Sequence, residues 1–129
     1  MQKIPTVYLL QEPTSDKDLS SAAKQGRIVP IIRNGDRPSQ NVAATIDRLA
    51  AALKYYDPES DSICFAGGDP IVQFLAGVVL ERLGYEEVTH LIWNRERVDG
   101  QKTGSGFYMP KRISLIESDY NSFVINEEE

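Results

Sequence analysis

Two stretches of this sequence hold residue types that could do chemistry. In the first, Gly67-Gly68-Asp69-Pro70 follows the apolar run Ile63-Cys64-Phe65-Ala66 and precedes a long apolar segment. A glycine turn that delivers the chain into a helix points backbone N–H groups outward at the positive end of the helix dipole, a setting that favours phosphate or carboxylate. Arg33 and Arg37, in a polar connection upstream, could complete such a site as bidentate anion binders. Asp69 argues the other way. At the N-cap its carboxylate takes the same donors and repels an anion, and Pro70 at the first helical position suits a plain capped helix. Gly67, Gly68, Asp69, Arg33 and Arg37 are therefore the candidate ligand set, weighed against a capped structural turn, which is preferred.

The second stretch runs from Trp93 to Arg112. Arg95, Arg97, Lys102, Lys111 and Arg112 stand against Glu96 and Asp99, a local +3 inside a chain of net charge −5. Basic side chains interleaved with Trp93, Phe107 and Tyr108 are what stacking and phosphate contact with a single nucleic-acid strand require. They equally suit an edge hairpin protected by charge, or a surface for an acidic protein segment. An acidic chain is a poor general nucleic-acid binder. The partner-binding set is Trp93, Arg95, Arg97, Lys102, Tyr108, Lys111 and Arg112, with a protein partner preferred over nucleic acid.

Other chemistry is thin. The only histidine is His90 and the only cysteine Cys64, both inside expected strands. Zinc sites built from cysteine and histidine cannot be assembled, a Cys64–His90 catalytic pair is disfavoured, and no disulfide can form within the chain. No phosphate-binding loop ends in Gly-Lys-Ser or Gly-Lys-Thr, and Gly104-Ser105-Gly106 lacks the rest of a dinucleotide fingerprint. Asp57, Glu59 and Asp61 alternate like calcium ligands without the glycine and distal glutamate of a calcium loop, so they are expected to form a solvated acidic turn. No catalytic residue, metal or cofactor is assigned.

The elements that must position these groups follow from periodicity. Residues 6–11 read as a strand, and Ser15 or Asp16 would cap a short helix through Leu19, Ala22 and Ala23 that stops at Gly26. Residues 27–32 form a second strand, in which Pro30 asks for an edge or a bulge. Val42, Ile46, Leu49, Leu53 and Tyr56 fall on one helical stripe that ends before Asp57-Pro58. After the strand around residues 61–65, residues 71–83 make a helix apolar on nearly its whole circumference, which wants cover on more than one side; Gly77 in its middle implies a close neighbour. Residues 88–93 form a further strand. Residues 107–109 and 112–115 return as a hairpin interrupted by Pro110.

This alternation specifies an α/β fold, a single-domain sandwich of two or three layers with a mainly parallel sheet and a C-terminal antiparallel hairpin. The domain is placed at residues 1–116, with an acidic C-terminal tail at 117–129. No run is long and apolar enough to cross a membrane, and the start lacks the apolar core of a signal peptide, so a soluble cytoplasmic protein is expected. Tyr56-Asp57-Pro58-Glu59-Ser60-Asp61, Ala66-Gly67-Gly68-Asp69-Pro70, Trp93-Asn94-Arg95-Glu96-Arg97 and Gly104-Ser105-Gly106-Phe107-Tyr108-Met109-Pro110 together resemble small uncharacterised proteins of tailed bacteriophages, over about residues 17–115. That resemblance implies a phage accessory protein and transfers no activity. The expected function is a non-enzymatic, self-associating binding module that engages a host protein or nucleic acid through the basic aromatic hairpin. The alternative is a protein or enzyme that binds a nucleotide or phosphometabolite at the Gly-Gly-Asp-Pro turn.

Overall fold

The computed structural model describes residues 3–13, 17–98 and 101–116, without the side chains of residues 96–105. Five strands form one sheet in the order β2-β1-β3-β4-β5. They are β1 (Thr6–Gln11), β2 (Arg27–Ile32), β3 (Ser62–Cys64), β4 (Glu87–Val98) and β5 (Gln101–Ser114). The first four are parallel and β5 runs antiparallel to β4. The helices are α1 (Ser20–Ala23), α2 (Val42–Leu53) and α3 (Pro70–Arg82), with a short 3-10 turn at Pro38–Gln40 before α2.

Right-handed crossovers through this strand order place α1 on one face and α2 with α3 on the other, and the core divides accordingly. Tyr8, Leu10, Ile32, Ile63 and Val88 of the sheet pack against Leu49 and Leu53 of α2 and Val72, Leu75, Ala76, Val79 and Leu80 of α3. Val7, Leu9, Cys64, Leu91 and Tyr108 face the opposite way, under Ala22. The fold has three layers, one of them only a four-residue helix and its connections. β1 sits between two strands and is covered on both faces, which explains why its side chains are buried from Val7 onward without alternation. Pro30 lies on β2, at the sheet edge, as its missing N–H demands.

Several expectations change. α1 starts at Ser20, whose N–H and hydroxyl both donate to Asp18 Oδ1; Ser15 and Asp16, read as its cap, lie outside the described residues, as does the tail 117–129. α2 ends at Leu53, so Tyr56 lies beyond the helix, yet it is buried as a core residue; Val42 at the other end of the stripe is exposed. Pro110 does not interrupt the returning strand, which is continuous from Gln101 to Ser114. Its ring nitrogen faces the free edge, where no ladder bond is lost. Among the described residues Gly77 has no close neighbour, since a Cβ there would meet nothing within 4 Å. The all-round apolar character of α3 is likewise left without cover on one side, with Phe74 71% exposed.

The acidic turn is also more than a solvated loop. Asp61 is only 3% exposed. Its carboxylate accepts from the N–H groups of Thr6 and Asp57, both at 2.9 Å, and from Lys3 Nζ at 3.3 Å. Tyr56 completes the knot. Its hydroxyl donates to the Asp61 carbonyl at 3.1 Å and accepts from the Thr89 N–H at 2.9 Å, tying β3 to β4 at the amino end of the sheet.

Candidate functional site

The connection after β1 leads to β2 on one side, and the connection after β3 leads to β4 on the other. The crevice between the carboxyl ends of β1 and β3 is thus the topological switch point, where open α/β sheets bind ligands. Gln11, the turn before α2 and the Gly67-Gly68-Asp69 turn meet there. Gln11, the last residue of β1, reaches across with its side-chain carbonyl to accept the Asp69 N–H at 2.8 Å. Ser39, in the turn before α2, donates its hydroxyl to Asp69 Oδ2. Gly67 lies beside Lys17 and Pro13.

The chemistry of this crevice is already internally matched. Asp69 Oδ1 caps α3 by accepting the Ile71 N–H at 3.1 Å. The Ser39 hydroxyl and that capping N–H hold the Asp69 carboxyl below the usual carboxylate range, so a fixed negative charge stands at the helix N-terminus. Gly68 has φ +124, and a Cβ there would overlap the Gln11 side chain; glycine is what lets Gln11 close the turn. Of the candidate arginines, Arg37 lines a separate cleft of about 200 Å³ together with Asp36, Asn41, Thr45 and Arg48. Arg48 there is paired with Asp36, and Arg33 donates its backbone N–H to the same Asp36. Ser39, not either arginine, meets Asp69, a link between distant loops that no local spacing signals.

The hairpin has a different character. β4 and β5 span 12 and 14 residues, whereas β3 has 3. β4 pairs with β3 only at His90 and Leu91; beyond that point β4 and β5 continue as a two-stranded arm. On the α1 side Trp93 packs edge-on against Tyr108, ring centroids 5.0 Å apart, and its indole lies where a side chain on Gly106 would stand. Tyr108 is buried and its hydroxyl lies against the Cys64 thiol, so it supports the arm from inside. Burial pushes that thiol up to about 11 and the Tyr108 phenol up to about 12; both are neutral and inert at physiological pH. Arg112 is paired with Glu87 at 3.0 Å, while Arg95 and Lys111 are exposed. The side chains of Arg97 and Lys102 lie outside the described residues. On the α3 side Ile92, Phe107, Met109 and Ile113 are all exposed. Among the described residues no cluster of His, Cys, Asp and Glu could hold a metal ion.

A family model described as Phage Pam3 gp32-like protein matches residues 5–100. The chain belongs to this family. The match covers the switch crevice and the whole outgoing strand of the arm in one Pam3 gp32-like unit. No curated protein and no solved structure matches the chain. Among the described residues no helix is long and apolar enough to cross a membrane.

His90 is a structural group in this family member. Its Nδ1 lies 2.9 Å from the Leu91 carbonyl, which can only accept, so Nδ1 carries the proton and Nε2 accepts from the Gln73 amide at 3.1 Å. Burial lowers its pKa from the ordinary 6.5. The unfolded chain then binds the proton more readily, so the stability held by neutral His90 is complete above 6.5 and declines as pH falls below it, with a limiting slope of about 1.4 kcal/mol per pH unit. Urea unfolding between pH 7.5 and 5 should show this decline, and His90→Gln should flatten it. Equal slopes for the two proteins would refute the assignment.

Proposed function

We propose that the chain is a non-enzymatic phage accessory module that acts in the host cytoplasm by docking a macromolecular partner, a protein ahead of a nucleic acid, on the β4–β5 arm. The observation that carries this reading is the arm itself. Past the sheet body, two strands continue without a third among the described residues, and they display Ile92 at 44%, Met109 at 43% and Phe107 at 42% exposure. A two-stranded ribbon is marginal in water on its own, and apolar side chains grouped on such a surface mark an interaction site. Trp93, 38% exposed, packs edge-on against Tyr108 and beside the backbone at Gly106. The phosphate-site alternative has the switch-point position in its favour. Against it stand Asp69, already ionised at the helix N-terminus, and Gln11, already spending its acceptor on the turn.

A photo-crosslinking side chain at Phe107, with the exposed Tyr55 at the far end of α2 as control, tests the reading in phage-infected host cells. A discrete crosslinked species should form from position 107 and not from 55. Ile92→Lys combined with Met109→Lys should cut its yield by about tenfold or more, the equivalent of at least 1.4 kcal/mol, with an unchanged circular dichroism spectrum. A product containing two copies of this chain would identify self-association as the docking event. No product from position 107, or equal products from both positions, would overturn the reading.

A further inference from the structure

The arm offers a polypeptide three places to sit, and two of them are compromised. The first is the free edge of β5. Pro110 lacks an N–H, and the outward N–H of Tyr108 is already taken by Ser21 Oγ at 2.8 Å, so two successive outward positions offer no donor for strand addition. The second is the α1-side face. There the Trp93 ring is engaged with Tyr108 and Gly106, and Arg112 is neutralised by Glu87.

The third is the α3-side face. Cross-strand register puts Val88, His90, Ile92 and Asn94 of β4 beside Ile113, Lys111, Met109 and Phe107 of β5. Gln73 meets His90 and marks where α3 flanks this face; beyond it no described element returns. A shallow hollow of about 340 Å³ remains, lined by Ile92, Asn94, Met109, Pro110 and Lys111. Among the described residues Lys111 is its only charged lining residue, and none of those eight cross-strand residues is acidic.

We propose that this hollow receives an acidic segment of a partner protein, with a bulky apolar side chain seated between Ile92 and Met109 and a carboxylate on Lys111. This rests on the reading of the arm as the docking element and adds the face and the chemistry of its occupant. The charge pattern favours that choice. Trp93 to Arg112 carries +3 while the rest of the chain carries −8, so an acidic segment is repelled by the body and steered onto the arm. Among the described residues a phosphate backbone would find one cation in an apolar hollow, too little for the row of contacts that nucleic-acid binding needs.

The test is amide-resolved NMR on the full chain with three probes: a short blocked peptide of Asp and Glu around Phe-Leu, its Lys counterpart, and oligothymidylate. The acidic peptide should move the resonances of Ile92, Asn94, Met109 and Lys111. Lys111→Glu should weaken the acidic peptide about tenfold and strengthen the Lys peptide, a swap that loss of folding cannot mimic. Ile92→Ser should weaken both peptides. The proposal is overturned if oligothymidylate is the preferred probe, if the shifts lie away from the arm, or if no probe shifts any resonance at millimolar concentration. Crosslinking from Phe107 without a response to the acidic peptide would retain the arm as docking element and reject this occupant; a response at Ile92, Asn94, Met109 and Lys111 without crosslinking would retain the hollow's preference for acidic peptide and reject the arm as the docking element in infected cells.

Discussion

Asp61→Ala should destabilise the protein by about 2–5 kcal/mol, because the substitution strips the acceptor from two backbone donors at once and each unsatisfied buried group costs about 1–3 kcal/mol. The donors are the Thr6 N–H at the start of β1 and the Asp57 N–H at the turn into β3, both 2.9 Å from the carboxylate. Lys3 is the lesser partner. Its ammonium is half exposed, with side-chain accessibility of 51%, and is shared with Asp57 at 3.4 Å, so solvent screens its hold on the buried carboxylate. Lys3→Ala is therefore expected to be mild. Asp61→Asn, which keeps one carbonyl oxygen for one donor, should fall between the two. Equilibrium urea unfolding at pH 7 checks the series, and a loss below about 1 kcal/mol for Asp61→Ala would show that solvent rescues the two N–H groups. The knot holds the amino edge of the sheet, opposite the end at which the switch crevice opens, so these variants test the scaffold independently of any ligand.

Gly68→Ala should cost about 2–4 kcal/mol, from two sources that add. Its φ of +124 lies where an L side chain is strained, and the new Cβ would stand inside the Gln11 side chain, so Gln11 must withdraw and release the Asp69 N–H. Gly67→Ala separates the sources. Its φ is +138, yet a Cβ there would sit 3.7 Å from Lys17, an ordinary contact. Only backbone strain of about 1–2 kcal/mol is expected there. Thermal unfolding of both variants measures the difference, and equal losses would mean that Gln11 moves aside freely. Combining Gln11→Ala with Gly68→Ala should be less costly than the sum of the singles, since one interaction is lost in both.

Much of the scaffold is written in short-range patterns. The apolar run of β1, the edge placement implied by Pro30, the Asp69-Pro70 helix start and the Gly84 stop after α3, where Gly84 adopts φ +90, each follow from backbone chemistry within a few residues. The same locality explains the misreadings. Asp61 resembles a solvated acid in the sequence because two of its partners, Lys3 and Thr6, lie 58 and 55 residues away. Sequence spacing alone groups Tyr108 with the surface aromatics, but register opposite Trp93 turns it toward Cys64 and the core. Gly77 in mid-helix implies a close neighbour, and the described residues supply none.

By itself the sequence determined the alternation of strands and helices, the glycine turn into a capped helix, and a basic aromatic stretch in an acidic chain, because propensity, capping and charge act over a few residues. Tertiary structure alone decided that Gln11, Ser39 and Asp69 lock the switch crevice, and that β4 and β5 outrun β3 to leave an apolar face that no described element covers. Those outcomes depend on strand order and relative strand length. Both are set by which surfaces pack when the whole chain closes on itself, and no window of neighbouring residues encodes either.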